Sequence, residues 1–314
     1  MNSNKKIFSI IINPEAGGGH AKSIWPQVKQ ILDEKEISYH TFFTEYMGHA
    51  QALAKRIAEE KATDILLILG GDGTLHEAIN GLMNTKPNCQ IPLSYIPTGS
   101  GNDFARSFGI SENPIKALNQ ILNAKKSTEI FLGHYHELIG GRSGYFLNNL
   151  GIGFDARIVH KTNSSILKKF LNQINLGKFS YASKGISAFL GQGTFKLKLG
   201  NNTFERSYIA IINNGPYIGG GIEVSPEMSL KKRQLELFLV EKKNVMSLLK
   251  ILFLFINGKI DQSKYVHRFK SSKFKIITKK SQFIHLDGEE FAKSEVELIV
   301  STASYPFWQE SKTK

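Results

Sequence analysis

The fold is decided by the stretch Ile65-Leu66-Leu67-Ile68-Leu69-Gly70-Gly71-Asp72-Gly73-Thr74-Leu75. Its five consecutive apolar residues predict a strand buried on both faces, as in a parallel sheet. Glycines then allow backbone N–H groups to approach a phosphate closely, and the start of the next helix adds donors and a favourable dipole. Asp72 would repel a bare phosphate, so we expect Mg²⁺ to bridge the two. A plain tight turn with Asp72 as helix cap is the simpler, less favoured alternative.

Strand-like and helix-like segments alternate on either side of this stretch. Further strands are predicted at 7–12, 38–44 and 91–96, and helices at 49–60 and 75–83. Such alternation predicts βαβ units and a doubly wound, Rossmann-like α/β domain. Because ligands on these sheets bind beyond the carboxyl ends of the strands, the loops after Ile12, Leu69 and Ile96 should lie at one edge.

The pattern changes after residue 130. Many short strand candidates separated by turn residues predict a C-terminal β-sandwich domain. The strand candidates are 145–150, 194–199, 208–213, 235–240, 273–278, 283–286 and 296–300, with helical segments at 155–190 and 244–257. We expect two domains, residues 1–130 and 131–300, with the chain returning to the first over about 301–314.

Charge separates the same two regions. The chain of 314 residues has 40 Lys+Arg and 27 Asp+Glu, and its whole net charge of +13 lies after residue 130. A basic half suggests an anionic partner, such as nucleic acid, a phosphorylated substrate or an anionic bilayer. The single cysteine, Cys89, excludes an intramolecular disulfide, and no stretch has the length of a signal peptide or membrane span. These features predict a cytoplasmic protein.

Two more glycine-bearing loops follow strands at the same predicted edge. Pro97-Thr98-Gly99-Ser100-Gly101-Asn102-Asp103-Phe104-Ala105-Arg106 supplies hydroxyls, an amide and a second acid, and Gly17-Gly18-Gly19 follows Asn13-Pro14. Neither a Walker loop nor a GxGxxG turn is present. Three such loops together favour a nucleotide site.

These motifs resemble the diacylglycerol kinase/sphingosine kinase catalytic family, and more specifically its bacterial soluble lipid kinases. The resemblance rests on Asn13-Pro14 with the glycines after it, Gly70–Thr74 and Thr98–Arg106. Later motifs in the same order are Gly151-Ile152-Gly153-Phe154-Asp155-Ala156, Asn213-Asn214-Gly215 and Asp287-Gly288-Glu289. The Gly-Gly-Asp-Gly-Thr loop is shared with NAD kinases and phosphofructokinases, whereas Gly-Asn-Asp-Phe-Ala-Arg is more discriminating.

The resemblance implies transfer of the γ-phosphoryl group of ATP to a lipid hydroxyl, with diacylglycerol, giving phosphatidic acid, as the first-choice acceptor. It implies that ATP lies between the domains, that Asp72 and Asp103 serve the Mg²⁺, and that the general base lies in the Asp287-Gly288-Glu289 motif. The choice between Asp287 and Glu289 stays open. An isolated Asp-Gly would be read as a hairpin turn. The implied nucleotide-binding set is Asn13, Thr44, Gly70, Gly71, Asp72, Gly73, Thr74, Glu77, Thr98, Gly99, Ser100, Gly101, Asn102 and Asp103.

Two positions depart from the family pattern. Relatives carry an Asp-Gly after a Pro, and that Asp ligates a structural metal, where this chain has Lys232-Arg233. The Ile-Asp-x-Gly strand of the family reads Ile130-Phe131-Leu132-Gly133, so a third acid of the magnesium network is missing. Either Asp72 and Asp103 suffice through water, or activity is reduced.

An enzyme acting on a membrane lipid needs contact with the bilayer, so we expect peripheral binding at the inner, anionic membrane surface. Lysines mixed with large apolar residues over 166–190 suit an interfacial helix. The segment 248–256 is a second candidate, although its all-round hydrophobicity favours burial. Alternative functions are an NAD-kinase-like enzyme with a soluble acceptor and a catalytically weak nucleotide- and membrane-binding regulator. No nucleic-acid partner is expected, and the oligomeric state stays open, with a homodimer as one option.

Overall fold

The computed structural model describes residues 6–153 and 193–311. The predicted helical segment 155–190, and with it the membrane candidate at 166–190, lies outside these residues. The described chain forms two compact units, one of residues 1–131 with 304–314 and the other of residues 132–303. The chain passes from one unit to the other within a strand on each occasion, at β5 (Thr128–Glu137) and β17 (Glu297–Phe307).

The first unit is a parallel sheet with helices between its strands. The sheet order is β2–β1–β3–β4, with Phe307 of β17 beside Leu93 of β4. The strands are β1 (Ile7–Ile12), β2 (Ser38–Phe43), β3 (Ile65–Gly70) and β4 (Leu93–Pro97). The helices are α1 (Ala16–Glu34), α2 (His49–Glu60), α3 (Asp72–Met83), α4 (Asp103–Phe108) and α5 (Pro114–Leu122), and a 3-10 turn covers Pro87–Cys89.

Burial explains why this sheet forms. Every residue of β3 and β4 is buried, as continuous apolar strands of a doubly wound sheet require. Full burial of one such aliphatic side chain contributes about 1.5–3 kcal/mol. Helices α2 and α3 cross closely because α3 carries Gly81, where an added Cβ would lie 2.2 Å from the carbonyl oxygen of Gln51.

The second unit is a β-sandwich. Its longest run of paired strands is β16–β15–β7–β9–β8–β14–β17, while β12 joins β9 to β13 and β6 pairs with β5. Inward-facing side chains form an apolar core, to which β8 contributes Phe195, Leu197 and Leu199 in alternation with exposed residues. The remaining elements are β6 (Ser143–Phe146), β7 (Asn149–Ile152), β8 (Phe195–Leu199), β9 (Asn202–Asn213), β10 (Tyr217–Ile218), β11 (Ile222–Glu223), β12 (Leu235–Glu241), α6 (Val245–Ile256), a 3-10 turn (Ile260–Gln262), β13 (Val266–Ser271), β14 (Lys273–Thr278), β15 (Gln282–Leu286) and β16 (Glu289–Ser294).

The predicted fold class, an N-terminal doubly wound α/β domain and a C-terminal β-sandwich, is confirmed. One predicted strand was wrong as a single element, since residues 145–150 divide into β6 and β7 at Leu147 and Asn148. The break is imposed by a carboxylate from elsewhere in the chain, described below. Within the described ranges, no helix is long and apolar enough to cross a membrane.

Candidate active site

Three loops of the first unit meet at the carboxyl edge of its sheet, as predicted from strand order. The side-chain amide of Asn13, after β1, donates at 2.9 Å to the hydroxyl of Thr74, in the first turn of α3, which follows β3. An added Cβ at Gly17 would lie 2.1 Å from the carbonyl oxygen of Thr98, after β4. The first turn of α1 is irregular because Gly17, Gly18 and Gly19 all have positive φ (63°, 67° and 92°).

The loops after β3 and β4 touch through two glycines. An added Cβ at Gly99 would lie 2.8 Å from the Cα of Gly71, so a side chain at position 99 would push the two loops apart. The backbone N–H of Thr98 donates to the carbonyl oxygen of Gly70 at 2.8 Å, which fixes the register of the two loops. Because neither Gly71 nor Gly99 has a side chain, the backbone at the start of α3 has no Cβ at these positions to hold a phosphate away.

A hydrogen bond joins the two acids of these loops. A carboxylate oxygen of Asp72 accepts from the backbone N–H of Asp103 at 2.9 Å. Asp103 is buried, and Arg106 lies 3.4 Å from its carboxylate while also donating to the carbonyl oxygen of Gly101. Asn102 adopts the left-handed conformation and donates to the carbonyl oxygen of Gly99 at 2.7 Å. Tertiary structure thus brings two acidic residues from different loops together.

The phenol of Tyr95 lies in β4 beneath these acids. Burial, followed by the negative charges of Asp72 and Asp103, raises its pKa well above the ordinary value. The hydroxyl therefore keeps its proton, and it donates to the side-chain oxygen of Asn102 at 3.3 Å. Sequence reasoning missed Tyr95 because a single tyrosine in an apolar strand carries no local signal.

The residues present fit a magnesium ion that arrives with a nucleotide. Among the described residues, no group of three or more His, Cys, Asp or Glu side chains could hold a metal by itself. Mg²⁺ usually binds one or two carboxylates and completes its shell with water and substrate phosphates. Asp72 and Asp103 supply that number of carboxylates, and Phe131 occupies the position where the family pattern has a third acid.

Thr98 has the marks of a ligand-binding hydroxyl. Its side chain is 1% exposed, and its Oγ1 has no hydrogen-bond partner among the described residues. An unpaired buried hydroxyl costs free energy, so its retention is understandable where a ligand satisfies it. Ser100 and Gly101 belong to the same loop, and Gly73 lies in the first turn of α3.

Two other members of the implied nucleotide-binding set lie near α2. Thr44 follows β2, and its backbone N–H donates to the carbonyl oxygen of Ile12. The carboxylate of Glu77 accepts from the backbone N–H groups of Gly48 and Ala50, at 2.8 and 3.1 Å. Glu77 therefore satisfies otherwise unbonded N–H groups at the start of α2, and so positions the segment that follows Thr44.

In the second unit, Asp287 and Gly288 form the two-residue turn between β15 and β16. Both have positive φ, 49° and 91°, as a type I′ hairpin turn requires. The interpretation of Asp-Gly as a hairpin turn is therefore correct, and Asp287 also has contacts outside this turn. The strand backbone of Glu289 is described, whereas its side chain lies outside the described part of the structure.

The carboxylate of Asp287 accepts from three consecutive backbone N–H groups. These belong to Leu147, Asn148 and Asn149, at 2.8, 2.7 and 3.0 Å. The backbone N–H of Asp287 in turn donates to the carbonyl oxygen of Asn149 at 2.9 Å. The turn 147–149 breaks the predicted strand 145–150 because its N–H groups bond to this carboxylate.

The Asn213-Asn214-Gly215 motif contacts the same turn. The side-chain amide of Asn214 donates to the carbonyl oxygen of Leu147 at 2.9 Å. Its backbone N–H donates to the carbonyl oxygen of Asn148 at 2.8 Å. Sequence reasoning singled out Asp287 and Asn214 but missed the turn that both of them bind. The position of this turn, just before Gly151-Ile152-Gly153, was the available sequence signal for its importance.

His285 lies in β15, two residues before Asp287. Its ring covers Gly151 of β7, where an added Cβ would lie 1.8 Å from Nε2. Its Nδ1 is buried without a partner among the described residues. Burial lowers the pKa of His285 to about 4, against a smaller opposing effect of Asp287, so the ring is neutral at pH 7.

Lys232 and Arg233, the first departure from the family pattern, lie in a loop that is held by backbone hydrogen bonds. Lys232 donates its N–H to the carbonyl oxygen of Ser229 and accepts from Gln234. The guanidinium Nε of Arg233 donates to the hydroxyl of Thr302 in β17 at 3.3 Å.

Family models identify the class to which this α/β unit and the β-sandwich that follows it in the chain belong. Residues 8–134 match the model of the diacylglycerol kinase catalytic domain. Residues 148–303 match that of the YegS C-terminal NAD kinase beta sandwich-like domain. The chain belongs to the diacylglycerol kinase catalytic family of lipid kinases.

Curated relatives and solved structures agree with this assignment. The chain is 30% identical to the Bacillus subtilis protein named "Putative lipid kinase YtlR", over 89% of this chain and 92% of the relative. It is 26% identical to the Bacillus subtilis protein named "Diacylglycerol kinase", over 89% and 88%. A Bacillus anthracis crystal structure titled as a "putative diacylglycerol kinase" shares the fold, with a TM-score of 0.74, 21% identity and coverage of 98% and 99%. Yeast NADH kinase is a more distant structural neighbour, with a TM-score of 0.54, 10% identity and coverage of 99% and 85%.

Proposed function

We propose that this protein transfers the γ-phosphoryl group of ATP to the hydroxyl of a membrane lipid, with diacylglycerol as the first-choice acceptor and phosphatidic acid as product. The observation that carries the proposal is the contact of three glycine-bearing loops around Asp72 and Asp103. The lipid acceptor is supported by family membership and by the names of the relatives.

The first unit has the groups that phosphoryl transfer needs. The backbone N–H groups of the loop from Gly70 to Thr74 and the start of α3 bind phosphate oxygens. Asp72 and Asp103 would hold Mg²⁺, which neutralises phosphate charge when bound. The buried hydroxyl of Thr98 donates to the nucleotide, because it has no partner among the described residues. Such chemistry depends on positioning and charge neutralisation more than on covalent catalysis.

The second unit supplies the acceptor side. The lipid hydroxyl oxygen forms the new bond to the γ-phosphorus, ADP leaves, and the hydroxyl proton passes to a carboxylate of the Asp287-Gly288-Glu289 motif. Asp287 already accepts three backbone N–H groups, and a carboxylate has about four lone-pair positions. This occupancy favours Glu289 as the proton acceptor, while Asp287, two residues before it, holds the turn 147–149. The enzyme works at the inner, anionic face of the membrane.

The test is a phosphorylation assay with radiolabelled ATP and a panel of lipids in mixed micelles. We expect labelled phosphatidic acid from diacylglycerol, and a loss on the order of 100-fold for Asp72→Asn. The matched control is Asp33→Asn, an exposed acid of α1 that pairs with Lys29, which should leave turnover unchanged.

Each result has a defined meaning. Phosphorylation of NAD without any lipid product would refute the proposal and favour an NAD-kinase-like activity. Nucleotide binding without transfer to any acceptor would refute it in favour of the regulator, the function suggested by Phe131 and Lys232. Equal activity in Asp72→Asn and wild type would remove Asp72 from the site.

A further inference from the structure

Helix α6 exposes a row of large apolar side chains. Met246 is 72% exposed, Phe253 61%, Val245 50% and Leu249 37%. We call these four residues the outer face of α6. At 3.6 residues per turn they cover an arc of about 100° on one side of the helix. The expectation that this segment is buried on all sides is therefore wrong for its outer face.

The opposite side of α6 is anchored in the second unit. Leu248 and Ile251 are buried and pack in a cluster with Tyr208 and Val240. The helix begins in a capping box, in which the side chain of Asn244 accepts from the backbone N–H of Ser247 and that of Ser247 from Asn244. The outer face therefore belongs to a regular, docked helix.

Positive charge surrounds this face. Lysines lie on the helix and in the segments before and after it in the chain, and we call them the lysine rim: Lys242, which is partly buried, and Lys243, Lys250 and Lys264, which are exposed. Lys243 and Lys264 approach the ring of Tyr265 from 5.4 Å each, and Arg206 donates to the carbonyl oxygen of Lys243. The nearest acid along the chain, Glu241, lies 2.8 Å from His267.

We infer that the outer face of α6 docks on an anionic bilayer, with its apolar side chains in the headgroup boundary and the lysine rim on lipid phosphates. Apolar residues on one side of a helix bordered by lysines are the features of interfacial binding. A partner protein would need acidic groups opposite the lysines and an apolar surface opposite the outer face of α6. An anionic bilayer has both, since its headgroups carry negative charge and its acyl chains are apolar. The inference rests on the proposed function, and it gives the lipid kinase a surface from which to reach its acceptor.

The experiment measures binding separately from turnover. The wild-type chain is sedimented with vesicles of phosphatidylcholine and phosphatidylglycerol in equal parts, without ATP and without acceptor lipid. We expect Met246→Ser/Phe253→Ser to weaken binding at least tenfold. We expect Lys242→Gln/Lys243→Gln to weaken it about 25-fold at low ionic strength, since each lysine near the surface contributes about fivefold. Pure phosphatidylcholine vesicles should bind the wild type weakly.

Matched controls alter similar residues elsewhere in the same unit. Ile139→Ser removes a 63% exposed apolar side chain from the turn after β5, and Lys279→Gln/Lys280→Gln removes two exposed charges between β14 and β15. Both should bind vesicles like the wild type. Thermal unfolding of each variant verifies that the fold is retained.

Outcomes for the docking surface and for the proposed function are distinguishable. Equal vesicle binding by the α6 variants and the controls would overturn the inference, whatever the kinase activity. So would a dimer that dissociates in Met246→Ser/Phe253→Ser while vesicle binding is unchanged, because the face would then contact a second copy. A short-chain diacylglycerol dispersed in water should be phosphorylated equally by wild type and variants. Absence of that activity in the wild type would count against the proposed function alone.

Discussion

Replacing Asp287 by asparagine should destabilise the second unit, because one side chain bonds three backbone N–H groups. The N–H of Leu147 donates to one carboxylate oxygen, and those of Asn148 and Asn149 donate to the other. The substitution replaces one of these oxygens by an NH₂ group, which cannot accept, and leaves the other as a neutral amide oxygen. At least one bond is lost and the others become neutral. With hydrogen bonds to charged groups contributing about 1.5–3 kcal/mol and neutral ones about 1 kcal/mol, the free energy of unfolding should fall by about 2–4 kcal/mol.

Thermal unfolding followed by circular dichroism measures this effect. For a unit of this size, 2–4 kcal/mol corresponds to a fall in Tm of about 5–15 °C. The control is Glu205→Gln, an exposed acid paired with Lys196, which should change the free energy of unfolding by less than about 1 kcal/mol. A Tm for Asp287→Asn within 2 °C of the wild type would refute the argument that this carboxylate holds the turn.

The same variant separates positioning from proton transfer. Turnover is measured at a temperature at which Asp287→Asn is fully folded, alongside Glu289→Gln. Removal of a general base costs about 10²–10⁴-fold in kcat. A loss of that size in Glu289→Gln alone assigns the proton to Glu289, whereas a loss of that size in Asp287→Asn gives Asp287 a chemical role in addition to its bonds with the turn.

Two further predictions follow from buried polar groups. Thr98→Val should leave the Tm of the ligand-free protein unchanged or slightly raised, because it removes an unpaired buried hydroxyl. The same substitution should raise the Kd for ATP about tenfold. A calorimetric titration that gives equal affinities for wild type and variant would contradict this. The second concerns His285, whose pKa is lowered from 6.5 to about 4 by burial. The unfolded state binds more protons than the folded state between these values, so stability is full above pH 6.5 and falls as pH decreases to 4, by on the order of 3 kcal/mol. Urea unfolding of wild type and His285→Gln from pH 7 to 4 should show a steeper loss in the wild type, and parallel curves would show that His285 contributes nothing.

Much of the fold could be predicted because a strand that is buried along its whole length appears in the sequence as a continuous run of apolar residues. The strands β1 and β3 and the helix α2 were predicted almost to the residue, since apolar runs and helical periodicity are local properties. The first half of β9 was missed because residues 202–207 are mostly polar and pair at an exposed hairpin with β8. Strand β13 was missed because its histidine, arginine and lysine conceal its alternation.

The candidate site was predictable to the level of loops and not of contacts. Parallel strand order brings Asn13, Thr74 and Thr98 to one edge, and that order follows from the alternation of elements. The bonds of Asp287 join residues about 140 positions apart, and nothing local to either segment specifies them. The role of Glu77 at the start of α2 is likewise a tertiary contact, between residues 27 and 29 positions apart.

The return of the chain to the first unit has a consequence for biosynthesis. The side chain of Gln309 accepts from the backbone N–H of Tyr95, and Trp308 bonds Leu93 and Ile121, so the sheet around β4 is completed by residues made after the whole β-sandwich. Residues 132–303 are contiguous and emerge before that closure. At about 5–20 residues per second, the α/β unit waits roughly 10–35 s on the ribosome for its final strand. The β-sandwich, although second in sequence, is therefore the first unit with all its residues available.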